Sequence, residues 1–91
     1  MIINIQESNR KDKKYLATFK NGRKTHFGQD GSSTYLDHKD KKKRDAYQAR
    51  AKSILSKTDK YSPSHLSYYL LWGDHTNLRD AVKAYNRRFF K

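Results

Sequence analysis

The chain has 91 residues, enough for one domain at most, and sets 21 Lys and Arg against nine Asp and Glu for a formal charge of +12. Apolar residues make up only 34%, yet seven Tyr, four Phe and one Trp supply the bulk that a disordered chain lacks. Without Cys there are no disulfides or thiolate metal sites, the start MIINIQES is too short and polar for a signal peptide, and nothing approaches a membrane span of about 18 apolar residues, so a soluble protein of the cell interior is expected.

Residues 2–7, IINIQE, are β-rich but alternate weakly. SNRKDK reads as a polar turn, and KYLATFK (14–20) then alternates with Tyr15, Ala17 and Phe19 on one face. Asn21-Gly22 follows, ahead of RKTHFG. An Asn-Gly pair between two such runs predicts a tight hairpin with positive φ at both residues. Strands are therefore expected near 2–7, 14–20 and 23–28, as an antiparallel meander. QDGSST is a loop by composition, with Gly28 and Gly31 as turn glycines that match no phosphate-loop spacing.

A first helix is predicted from Asp37 to about Ser56. Ser62-Pro63 opens a second, with Ser as N-cap and Pro at the first helical position, and Gly73 is its expected left-handed stop. A third helix begins at Thr76 or Asn77 and runs to about Phe89. The order βββααα implies an α+β fold, a small three-stranded meander followed by three helices packed on it. One domain spans 1–91: meander to 28, loop 29–36, helical part 37–91.

The basic run HKDKKKR (38–44) lies at the start of the first helix, and cations are densest in residues 38–60, where nine basic side chains face three acidic ones. With Tyr47 at zero and about 100° per residue, Ala51 and Ile54 fall on its side as the core stripe, with Leu55 at the margin. Asp40 and Arg44 come close to it, four residues apart, and suggest an ion pair inside a structural network of His38, Asp40, Arg44 and Tyr47. Lys41, Lys42 and Lys52 point outward. In the third helix Leu78, Ala81, Val82, Tyr85 and Phe89 form the core stripe. Arg79, Lys83 and Arg87 make an outer ridge with a step of about 6 Å, comparable to phosphate spacing. The middle helix is apolar nearly all round, which fits either a buried core helix or an interface through Tyr68, Leu71 and Trp72, with Phe90 near the end.

Chemistry is sparse. His26, His38, His65 and His75 have no zinc-ligand spacing, and the one Glu has no carboxylate partner, so neither a metal, a cofactor, a small-molecule substrate nor an enzyme is expected. A polyanion relieves the self-repulsion of +12, and nucleic acid is the commonest one. The frame Lys14-Tyr15, Asn21-Gly22, His26-Phe27-Gly28, Gly31, His38-x-Asp40, Arg44, Tyr47, Arg50 and Leu70-Leu71-Trp72 resembles a family of small basic proteins of unknown function from nucleocytoplasmic large DNA viruses of algae and protists, over about residues 14–89. Ser32, Thr34 and Ala51 depart from the pattern. The resemblance implies a virion or an infected cell as the setting. The expectation is thus a virion-associated protein that packages or condenses nucleic acid through sequence-tolerant phosphate contacts from Arg79, Lys83, Arg87, Lys41, Lys42 and Lys52. The alternative is a minor virion structural protein that meets capsid partners through its aromatic face.

Overall fold

A computed structural model describes residues 1–29 and 34–90. Three strands, β1 (Ile2–Glu7), β2 (Lys13–Phe19) and β3 (Lys24–Gln29), form an antiparallel sheet with β2 in the centre. One helical turn, α1 (Tyr35–His38), leads into α2 (Lys41–Leu55). Helix α3 is α-helical over Pro63–Leu66 and continues as a π-helix over Ser67–Leu71, and α4 spans Leu78–Phe89. The α+β arrangement is the one expected.

Side-chain chemistry explains where the elements differ from expectation. The hairpin loop holds three residues, not two: Phe19 bonds Arg23 and also accepts from the Gly22 N–H, and Gly22 has φ +91° while Asn21 is not left-handed. That is a turn closed by a glycine bulge, and the Asn21 side chain accepts from the Arg23 N–H instead. In β1 the register slips between Ile2 and Asn4, so Ile2 pairs with Phe19 and Ile5 with Ala17 on one face. The bulge accounts for the weak alternation of IINIQE, and it leaves Ile3 59% exposed. The glycine expected at 31 lies outside the described residues.

The first predicted helix is broken. Lys39 takes φ +53°, and Asp40 restarts the chain as N-cap of α2, accepting from the Lys42 and Lys43 amides. Gly73 is not a left-handed cap either. A Cβ there would collide with the carbonyl oxygen of Tyr69, four residues back on the turn that ends α3, so glycine is needed for space. Ser62 sits at the N-cap of α3, but its hydroxyl bonds Asp59 rather than the helix.

The core joins Ile2, Ala17, Phe19 and Phe27 of the sheet to Leu66, Leu70, Leu71, Ala81 and Tyr85 of the helices. The wide π turn brings Leu66, Leu70 and Leu71 all inward, where a regular 3.6-residue helix would spread them over two sides. Tyr85 donates to the Lys60 carbonyl at 2.6 Å, so its oxygen accepts from His65 Nδ1, also at 2.6 Å. Asn86 holds both backbone groups of Ile2 (2.8 and 2.9 Å), tying α4 to the sheet edge.

Candidate nucleic-acid interface

Helix α2 has no fully buried side chain. Its half-buried residues are Arg44, Tyr47, Gln48, Ala51 and Leu55, which fall between about 0° and +100° on the wheel used above. The inward face thus keeps the expected Tyr47, Ala51 and Leu55 with Arg44 beside them but shifts towards Gln48, and Ile54, assigned to the core, is 45% exposed. Polar anchors cause the turn. Gln48 Nε2 donates to the Trp72 carbonyl at 2.6 Å, and Tyr47 stacks on the Trp72 ring with centroids 4.5 Å apart and 11° between planes.

Of the four residues expected to form a structural network, His38 and Tyr47 both pack on Trp72, whereas Asp40 and Arg44 take other partners and no ion pair joins them. The His38 ring centroid lies 5.3 Å from that of Trp72, and its Nδ1 accepts from the Asp40 N–H. Asp40 serves the helix cap and does not pair with Arg44. The Arg44 guanidinium lies over Tyr35 at 5.0 Å and pairs with Asp45 at 3.2 Å and Asp74 at 3.6 Å. Trp72 is therefore the hub that holds α2 to the domain. Burial pushes the Tyr47 phenol up, while the Arg50 charge pulls it down.

What α2 leaves outside is cationic. Lys41, Lys42, Lys43, Arg50 and Lys52 are all exposed, and among the described residues none has a carboxylate within ion-pair distance. On the wheel, Lys41 and Lys52 share the flank beside Gln48, Lys42 is outermost, and Lys43 and Arg50 share the flank beside Tyr47. The last two were missed as contacts. Their seven-residue spacing was the available signal, but it depends on knowing which face is inward.

Arg79, Lys83 and Arg87 are exposed along α4 as expected. They do not continue the α2 surface. Helix α3 packs against both α2 and α4, and Gln48 of α2, Tyr68 and Tyr69 of α3, and Ala84 and Arg88 of α4 line one groove. Arg79 and Lys83 instead border an apolar groove with Ile3, Ile5 and Val82. The aromatic interaction residues also separate. Leu71 is 1% exposed in the core, Trp72 is stacked on Tyr47, and Phe90 packs against Phe19 and Tyr61, leaving half-buried Tyr68 apart from them.

Among the described residues no group of three or more His, Asp or Glu is placed to hold a metal ion, and no helix is long and apolar enough to cross a membrane. One family model matches the sequence over residues 3–51, more than half of the chain. The chain belongs to a family of unknown function, DUF5754. The family segment covers the sheet, α1 and α2 as far as Ala51; the resemblance above ran over 14–89, and the hub Trp72 lies beyond the match. No curated protein and no solved structure matches.

Proposed function

We propose that this protein binds nucleic acid, without catalysing a reaction, through phosphate contacts from the outer face of α2. The carrying observation is that Lys41, Lys42, Lys43, Arg50 and Lys52 project from one helix with no carboxylate paired to them among the described residues. Exposed acids normally intersperse such a face and keep its potential low. Here Asp45 is held by Arg44 and Asp40 by the helix cap, so the face keeps its charge. A polyanion releases its counterions on meeting that face, which makes binding favourable and salt-sensitive.

Lysine-to-phosphate contacts position a protein without reading bases, so binding is sequence-tolerant. Arg79, Lys83 and Arg87 form a second contact on α4, around the corner from the first. Packaging or condensation of a genome inside a virion is the setting we propose, on the motif resemblance alone. The test is filter binding of random-sequence oligonucleotides to the wild type and to a Lys41→Gln, Lys42→Gln, Lys52→Gln triple variant. Weaker binding with a shallower salt slope supports the proposal. Equal binding by both proteins contradicts it.

A further inference from the structure

Beside the cationic flank of α2 lies a cavity of about 510 Å³ between β3, α2 and α3. That volume is in the range of small-ligand sites, about 300–1,000 Å³. Its walls divide by chemistry. Tyr47 and Trp72 give an aromatic side, Lys13 and Arg50 are the cations, and Ser64 and Ser67 bring hydroxyls. The carboxylate on its rim, Asp12, is paired with Arg10 at 3.7 Å.

Tyr47 and Arg50 are three residues apart on α2, the spacing that sets side chains side by side on one helix face. One face of the Tyr47 ring is covered by Trp72, and among the described residues no other ring or cation covers the second. A flat ring laid on that second face would extend the Trp72–Tyr47 stack by one layer. Any phosphate attached to it would come within reach of Arg50 on the same helix and of Lys13 across the cavity. We infer that the cavity takes one unstacked nucleotide of the bound strand, its base on Tyr47 and its phosphate between Arg50 and Lys13. Stacking on an aromatic ring tolerates any base, in keeping with phosphate contacts that read no sequence. A base inside a duplex is not available for this, so the protein prefers single strands or strand ends.

The inference rests on the nucleic-acid reading of α2, and one experiment separates the two. The single Trp of the chain is in the cavity wall and reports occupancy through its fluorescence. Adenosine 5′-monophosphate, inorganic phosphate, a 12-mer single strand and its duplex are titrated at low salt, with strand binding followed separately on filters. Saturable quenching by the monophosphate and the single strand, with the Arg50→Ala protein binding the monophosphate about tenfold more weakly, is expected. Arg50 is exposed, so this variant folds. If the strand is retained on filters but the monophosphate causes no quenching at millimolar concentration, the cavity assignment falls and the α2 reading stands. Inorganic phosphate acting as well as the nucleotide also overturns the assignment. Failure of the strand to bind at all overturns both.

Discussion

Removing the Trp72 ring should loosen α2 before the rest of the domain. The helix has no fully buried side chain, and two of its inward residues meet Trp72, Tyr47 on the ring and Gln48 on the backbone carbonyl, with His38 of α1 also against the ring. A buried Trp cut to Ala costs about 3–5 kcal/mol; because this ring is only half-buried, about 3 kcal/mol is expected. For a domain of this size that lowers the midpoint by about 12–24 °C. The part due to the stack itself is isolated by a double-mutant cycle, Tyr47→Leu against Trp72→Leu, with a coupling of about 0.5–1.5 kcal/mol. Hydrogen exchange provides the spatial check. A free helix of 15 residues is marginal in water, so α2 amides in Trp72→Ala should lose protection ahead of β2 and α4. A coupling below about 0.3 kcal/mol, within the usual additivity error, would refute the hub argument. So would α2 amides that stay as protected as in the wild type.

Further outcomes follow from other contacts. Gly73→Ala must push the Tyr69 carbonyl aside, at a cost of about 1–3 kcal/mol, visible as a lower urea midpoint with an unchanged slope. Asn86→Ala leaves the Ile2 N–H and carbonyl without their partner at the sheet edge; about 1–3 kcal/mol of stability is lost, and the bared edge makes self-association detectable by light scattering. Burial holds the His65 imidazole below its ordinary pKa, so the unfolded chain takes up the proton first as pH falls. His65 therefore contributes stability that is full above about pH 6.5 and declines towards its lowered folded value. Urea titrations from pH 7.5 to 5 should show that decline, and His65→Gln should flatten it; an unchanged pH dependence in the variant would contradict the assignment.

Several elements were legible because their signals are local. Asn21-Gly22 marked the hairpin, and α4 announced itself through the Asn77 cap, whose side chain accepts from the Asp80 amide, and through a stripe that includes buried Ala81 and Tyr85. The face of α2 was legible only in part. Hydrophobic periodicity turned Tyr47, Ala51 and Leu55 inward with Arg44 beside them, but it also turned Ile54 inward and missed Gln48, whose partner is the Trp72 carbonyl just beyond the end of α3. A polar residue that anchors a helix looks like a solvent-facing one until its distant partner is known. For the same reason Asp40 and Arg44 at helical spacing suggested an ion pair, while the chain break at Lys39 gave Asp40 a cap to make. The π turn in α3 left no local mark, since it follows from packing three leucines against the sheet at once.

The proposed function stands or falls on the salt dependence of nucleic-acid affinity. Five exposed cations on α2 engaging a single strand give a slope of log K against log salt of about −3.5, so raising salt from 50 to 200 mM weakens binding about 100-fold. On a duplex the corresponding slope is about −4.5 and the loss about 500-fold. Filter binding across that range, with the Lys41→Gln, Lys42→Gln, Lys52→Gln variant alongside, should show the wild-type slope and a variant slope shallower by about 2 on single strands. A flat response in the wild type, or no retention at 50 mM, would contradict the account.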